Sequence, residues 1–359
     1  MASITIKILF FEAILGFLQV LYRVIFISRN FDGGTGDSAM GTVNLSFGIG
    51  DGLASNVYFA IGLSALGVLA IASRLFENRK VTTWSFLMIM FTWILASVMH
   101  SIFLMMAAIF ITSGILVFLM PKNKLSFFKK QLNAIRSIMG IFIVVTIFLL
   151  LILPSNLTLI QSYYEKTFDP EKMRSTKSIA TLATVRELSE DKVYQPFIGL
   201  GPGQYTSRAS LILSGEYITS GIPDFLHSVS PDLDRYILPL WRGYKSDTFQ
   251  AGSTYFPFYS WLSVYGEWGL LGFVILGLFL TRHILKMISN VNQVNFYLII
   301  GVLIIIFYIF LLGVQDNYWE WGQFILPILI YAKTLYYLIF KAEPVVETSQ
   351  QSDNNQSVE

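Results

Sequence analysis

The chain has 359 residues, of which 54% are hydrophobic and only 13% charged, with a mean hydropathy of +0.60. A soluble domain carries about 25% charged residues, so this composition excludes an ordinary water-soluble enzyme and points to a helical membrane protein. The net charge of +2 says little about partners, and no nucleic acid is expected among them; the absence of cysteine removes disulfides, thiolate nucleophiles and thiolate metal ligands.

Apolar runs of about 20 residues, the length of a membrane-spanning helix, recur along the chain. The first predicted span is 4–27, too long and too even for a cleaved signal peptide. Arg23 near its far end reads as a side chain snorkelling to the interface. Arg29-Asn30-Phe31-Asp32-Gly33-Gly34-Thr35-Gly36-Asp37, followed by Gly41, Gly48, Gly50 and Gly52, predicts an irregular or re-entrant hairpin. Such backbone is tolerated at membrane depth only where protein or water covers it. No strand precedes these glycines and no Lys-Ser/Thr closes them, so a phosphate loop is a weak reading. The second span is 53–73. The apolar block 84–120 is too long for one span and predicts two, breaking near 97–101 at His100. A basic loop follows at 122–130, and a fifth span at 135–153. A polar stretch, 155–256, separates these from three further spans at 259–280, 296–314 and 324–340. The tail is rich in Gln, Asn, Ser and Glu and reads as disordered.

The expected fold is therefore an all-α integral membrane protein of about eight transmembrane helices. A five-span bank (1–154) precedes one large loop containing short helices (155–256), a three-span bank (257–341) and a disordered cytoplasmic tail (342–359). Lys and Arg gather in the short loops 74–80, 122–130 and 282–286, which the positive-inside rule assigns to the cytoplasm. Both termini are then cytoplasmic and the large loop is external. The run Tyr318-Trp319-Glu320-Trp321 reads as an interfacial aromatic belt.

Within the large loop, Asp169-Pro170-Glu171 reads as an N-cap, a first-turn proline and an acidic first turn, opening a helix to about Asp191. Met173, Ile179, Leu182, Val185 and Leu188 would make its apolar stripe, lying on the membrane surface or over the helix mouths. Pro196-Phe197-Ile198-Gly199-Leu200-Gly201-Pro202-Gly203-Gln204-Tyr205 must turn sharply, and Thr206–Ser214 reads as another short helix. The next spanning helix carries Tyr265-Gly266-Glu267-Trp268-Gly269-Leu270-Leu271-Gly272.

Those last two stretches, in this order around one large loop, resemble the O-antigen ligase and polymerase superfamily. Glu12-Ala13-Ile14-Leu15-Gly16-Phe17-Leu18-Gln19 and the glycines after it resemble an earlier helix of that family. The resemblance runs from about residue 10 to 340. It implies a glycosyltransferase of the bacterial inner membrane that moves a glycan from a polyprenyl pyrophosphate to a sugar hydroxyl. The bilayer and polysaccharide-assembly proteins are then the expected partners, and no metal or other cofactor is required. Two departures stand out. The chain has fewer spans before the large loop than family members usually carry. A His-Asn pair that commonly stands before the final helices in the ligases is replaced by Ala251-Gly252-Ser253-Thr254-Tyr255, which turns the reading away from lipid A ligation and toward polymerisation or a less familiar exopolysaccharide branch.

Arginine suits a pyrophosphate leaving group because its planar fork pairs two oxygens at once. The loop offers Arg174, Lys177, Arg186, Arg208, Arg235 and Arg242. Arg208 stands first as a catalytic candidate because it follows the glycine-rich turn, with Arg174, Lys177, Arg242, Gly201 and Gly203 as substrate-binding candidates. A plain surface ion pair is the competing reading for each cation. His227, the loop's single histidine, and Glu267 are the candidate bases for a hydroxyl acceptor. Against them stand an ordinary surface histidine and a carboxylate that caps the helix mouth. A transporter or flippase of lipid-linked sugars, and a non-catalytic membrane subunit, remain the alternative functions; no second copy of the glycine-rich hairpin supports the internal symmetry common in transporters. The topology is open to direct test: reporter fusions after Lys130 and after Asp191 should report opposite sides of the membrane, and a common side would overturn the eight-span order.

Overall fold

The structure is a computed structural model that describes residues 2–28, 39–43, 55–77, 82–96, 103–120, 176–216, 227–246, 256–292 and 294–341, with isolated positions 133, 140 and 144. All regular structure among these residues is helical. Helix α1 spans Ala2–Tyr22 and runs on as a π turn, Arg23–Ser28; α2 is Ser55–Phe76, α3 Thr83–Ala96 and α4 Leu104–Leu119. The polar stretch contributes α5 (Thr176–Leu182), a π turn (Ala183–Glu187), α6 (Leu188–Asp191), α7 (Gln195–Ile198), α8 (Arg208–Leu213), α9 (Pro231–Tyr236) and α10 (Leu238–Ser246). Helices α11 (Ser260–Ser289), α12 (Phe296–Leu312) and α13 (Gly322–Lys341) close the chain.

By length and composition, three helices among the described residues can cross a membrane: Ala2–Ile27, Val57–Phe76 and Ser260–Ser289. The apolar block of 84–120 divides into α3 and α4, as its excess length required. The fifth predicted span apart from positions 140 and 144, the N-cap at Asp169 and the tail lie outside the described residues.

Two hydrophobic cores organise these elements. The larger is the helix bundle, in which α2 and α12 pack together with α1, α3, α4 and α13 around them. Their close approach depends on small residues: a Cβ on Gly301 of α12 would sit 2.5 Å from the Cβ of Ala72 on α2. The smaller core belongs to a polar layer, where Ala180, Leu188, Tyr205, Leu211, Leu233, Trp241 and Phe258 are buried together with Leu262 from the first turn of α11.

Of the glycine-rich segment after α1, residues 39–43 are described and lie against that helix; the rest of the expected hairpin lies outside the described residues. Gln19 accepts hydrogen bonds from the Met40 and Gly41 N–H groups at 2.9 and 2.8 Å, and Glu12 accepts one from the Thr42 N–H at 2.8 Å. Glu12 and Gln19 are two helical turns apart and so share one face of α1. The irregular backbone thus finds acceptors within the protein.

Helix α11 is broken. Gly269 has φ +61° and ψ −158°, so residues 260–268 and 270–289 are two helices that meet at a kink rather than one. The second piece, at 1.5 Å per residue, is about 30 Å long and spans a hydrocarbon core alone. The first piece belongs to the polar layer, which is why Leu262 joins that layer's core. Glu267 lies two residues before the break, in the piece that packs against the polar layer.

The predicted helix to Asp191 is present from Thr176, but its buried face differs from the expected stripe. Ala180, Ala183, Thr184 and Leu188 are buried, whereas Ile179, Leu182 and Val185 are exposed. The π turn over Ala183–Glu187 adds a residue to the local period and rotates the helix about its axis.

The break gives a stability test. A Cβ on Gly269 would lie 2.6 Å from the Phe197 carbonyl carbon, and the left-handed φ is costly for any L side chain. Gly269→Ala should lose about 2–4 kcal/mol, read as a lower thermal midpoint of purified protein. Gly277→Ala in the same helix meets nothing within 4 Å and should leave the midpoint in place.

Candidate functional site

The glycine-rich turn between α7 and α8 is wrapped around the N-terminal piece of α11. The Leu200 N–H donates to the Gly266 carbonyl and the Gly201 N–H to the Glu267 carbonyl, both at 2.9 Å. An unbroken helix would pair those carbonyls with the N–H groups of residues 270 and 271; the break leaves them to the turn. The Glu267 carboxylate then reaches back. Its Oε2 accepts from the Gly203 N–H at 2.7 Å, and its Oε1 from the Tyr205 and Ser207 N–H groups at 3.2 and 3.1 Å. Glu267 is only 4% exposed.

This arrangement requires the glycines. Gly199, Gly201 and Gly203 all have positive φ, and a Cβ on Gly199 would stand 2.2 Å from the Glu267 carbonyl carbon. The anion cradled by the turn is therefore the chain's own Glu267. Gly201 and Gly203 were expected to bind substrate, but their N–H donors are engaged inside the fold. Glu267, expected either as a base or as a carboxylate that caps the helix mouth, accepts three N–H groups of the turn.

Arg208 is different. Its side chain lies over the Trp321 ring, with the guanidinium carbon 3.5 Å from the ring centre, and its backbone N–H donates to Glu320 Oε2. Trp321 in turn packs at a tilt against Tyr58 at the head of α2, 4.3 Å between ring centres. Arg208 and Glu320 form one wall of an open pocket of about 460 Å³, completed by Ala209, Ile212 and Gly322. Burial pushes the Glu320 carboxyl up to about 7, with the neighbouring Glu267 charge adding to the rise; the Arg208 N–H, its charge and Ser263 oppose it. A carboxyl that titrates near neutrality beside a cation, both facing an open pocket, can exchange a proton with a ligand that the cation holds. A further cavity, about 300 Å³ between α4, α11 and α12, is lined almost wholly by apolar side chains and offers no such chemistry.

A polar chain joins this pocket to the rest of the layer. The Thr206 hydroxyl donates to Ser263 Oγ at 3.2 Å, Ser263 to Asn317 Oδ1 at 3.2 Å, and Asn317 Nδ2 to the Thr206 carbonyl at 2.9 Å. Beside Asn317 sits Asp316, which burial raises to about 6, while the Lys177 charge and the Asn317 N–H hold it down. Lys177 is lowered by burial to about 8, against the attraction of Asp316, and its ammonium donates to the Gln315 carbonyl. Lys177 thus joins α5 to the turn between α12 and α13 and does not line the Arg208 pocket.

The other candidates lie apart. Arg242 donates to Glu216 Oε1 at 2.8 and 2.5 Å and to Asp234 Oδ1 at 3.1 Å. Arg235 pairs with Asp191 at 2.7 Å, and Arg186 with Glu190 at 3.5 Å across one exposed turn. Such exposed pairs contribute little to stability. The His227 ring is exposed and lies against Gly215, beyond the end of α8 opposite to Arg208. Arg174 lies outside the described residues. Among those residues, no group of three His, Cys, Asp or Glu side chains could hold a metal ion.

Glu320 and Trp321 were missed as site residues because they read as part of an aromatic belt. The available signal was a carboxylate set between two tryptophans, an expensive choice at a membrane interface unless something polar meets it. Comparison with known proteins found no family model, no curated protein and no solved structure that matches the chain.

Glu320 also makes a prediction about pH. A carboxyl raised from 4.5 to about 7 in the fold binds more protons folded than unfolded between those values. Stability must therefore fall as pH rises from about 4.5 to 7 and level off above. Glu320→Gln should flatten that part of the thermal midpoint's pH profile; an unchanged slope would mean that Glu320 titrates normally.

Proposed function

We propose that the chain is a membrane glycosyltransferase that polymerises or ligates polyprenyl-pyrophosphate-linked glycans, with Arg208 and Glu320 as its working pair. The observation that supports this reading most directly is the pocket beneath the polar layer. It sets a guanidinium, braced on an aromatic ring, beside a carboxyl that titrates near neutrality. The resemblance of the glycine-rich turn and the α11 opening to O-antigen ligases and polymerases supplies the substrate class. In this reading eight helices cross the bacterial inner membrane and the polar layer faces outward.

The reaction needs few parts. An acceptor hydroxyl attacks the anomeric carbon, forming the new C–O bond as the bond to the pyrophosphate oxygen breaks. Glu320 takes the hydroxyl proton, and the pyrophosphate leaves with the bonding electron pair. Arg208 meets the charge that grows on the leaving oxygen, which is where an interaction lowers a barrier most. Stacking on Trp321 limits the rotamers of Arg208 before substrate arrives, so less order has to be imposed on binding. No metal is required by these residues.

Arg208→Ala should lower product formation by about 10²- to 10³-fold, corresponding to roughly 2–4 kcal/mol of transition-state stabilisation. Arg208→Lys should recover only part, since an ammonium lacks the fork. Glu320→Gln should remove activity, whereas the native enzyme should gain activity as pH rises through about 7 and the base ionises. The measurement is glycan product formed by purified protein in lipid at matched protein levels. Full activity in Arg208→Ala would end this assignment.

A further inference from the structure

Helix α7 is a single turn, yet it is fixed at a defined height on α11. Gln195 Nε2 donates to the Tyr265 carbonyl at 3.1 Å, and the bonds from Leu200 and Gly201 follow at Gly266 and Glu267. The Phe197 backbone lies directly against Gly269, where an added Cβ would meet the Phe197 carbonyl carbon at 2.6 Å. Gly269 is also where the 270–289 piece begins, and that piece matches the thickness of a hydrocarbon core, about 30 Å. The α7 turn is therefore held at the level where the chain enters the bilayer.

The side chains at this level are apolar and turned outward. Val193 is 76% exposed, Tyr194 52%, Phe197 62% and Ile198 58%. No charged residue occurs between Val193 and Leu200; the nearest ion pair in sequence, Lys192 with Asp232, ties back into the polar layer. The same outward exposure continues along α11 through Trp268, Leu270, Leu271, Val274 and Ile275. Those residues belong to a helix long and apolar enough to cross a membrane, so the α7 patch is the upper end of a lipid-facing surface. Exposed to water, so continuous an apolar surface would promote aggregation. A tyrosine and a tryptophan at its level suit the headgroup boundary, where an apolar ring body and a polar edge are both accommodated.

The geometry points to the 193–198 turn as a membrane-inserted wedge. Val193, Tyr194, Phe197 and Ile198 seat in the headgroup–acyl boundary of the leaflet below the polar layer, beside Trp268. The wedge ties the polar layer to the bilayer as well as to the bundle. Its hydrogen bonds to α11 carry that anchoring to the glycine-rich turn and hence to Arg208. This inference is independent of the reaction that the pocket performs.

The chain contains no cysteine, so single spin labels can be placed without first removing native thiols. Phe197→Cys and Ile198→Cys would be labelled in the full-length protein and reconstituted into phosphatidylcholine–phosphatidylglycerol vesicles. Val274→Cys serves as the lipid-facing reference and Ser228→Cys, exposed on the polar layer, as the aqueous one. Collision rates with oxygen and with a water-soluble nickel chelate report depth. Labels at 197 and 198 should favour oxygen and be shielded from nickel by several-fold relative to 228, approaching 274. Nickel access at both positions equal to that at 228 would show a water-exposed turn and overturn the inference. Shielding from both reagents would show that protein covers the turn, whether another part of this chain, a second copy or a partner, and would overturn it equally.

Discussion

The carboxylate of Glu267 is the constraint on which the polar layer depends. Its two oxygens accept three backbone N–H groups from one turn, and the main-chain carbonyls of Gly266 and Glu267 accept two more. A buried carboxylate left unpaired would be prohibitive, and so would a buried turn with unmet donors. Each supplies what the other lacks. The match exists only because Gly269 breaks α11 and because three positive-φ glycines let the turn close on the break.

From that junction the rest of the site follows. Tyr205 leaves the turn to fill the polar layer's core, where its hydroxyl pairs with Thr184 Oγ1 at 2.7 Å and burial raises its ionisation far above the usual phenolic range. Gly266 accommodates the ring, since a Cβ there would lie 2.2 Å from Tyr205 Cδ1. Ser207 then caps α8 through the Ser210 N–H, which sets the position of Arg208. The turn between α12 and α13 comes up from the bundle to meet it, held to α11 by the Ser260 and Trp261 N–H groups on the Asp316 and Gly313 carbonyls. Cation and carboxyl thus come from two different supports, the polar layer and the bundle, and meet at the seam.

Because the glycine turn's own donors are engaged by Glu267, recognition of an anion falls to side chains. Arg208 is the cation best placed for this. Arg186, Arg235 and Arg242 each have a carboxylate at the surface, and Lys177 is held between Tyr259, Gln315 and Asp316. The seam also explains why Glu320 titrates so high. It is drawn from water by the closure of layer on bundle, and it shares that enclosure with a second carboxylate.

Much of the architecture was legible in the amino acids because it rests on local quantities. Apolar length separates spans from loops, charge thins where lipid is met, and glycine and proline mark turns. The division of the 84–120 block and the helical character of the long apolar runs follow from such counts. Arg208 could be singled out because it sits five residues beyond a glycine. Its partners could not: Glu320 lies 112 residues away and Trp321 one further. No period or motif links positions so distant. The role of Glu267 was equally hidden, since a carboxylate in an apolar helix looks the same whether it faces a ligand or a turn of its own chain. The sequence by itself determined that the long apolar runs are helical and that the chain must turn sharply at 196–205. Only the tertiary structure decided which charges meet, because pairing at such separation depends on how the polar layer packs on the bundle.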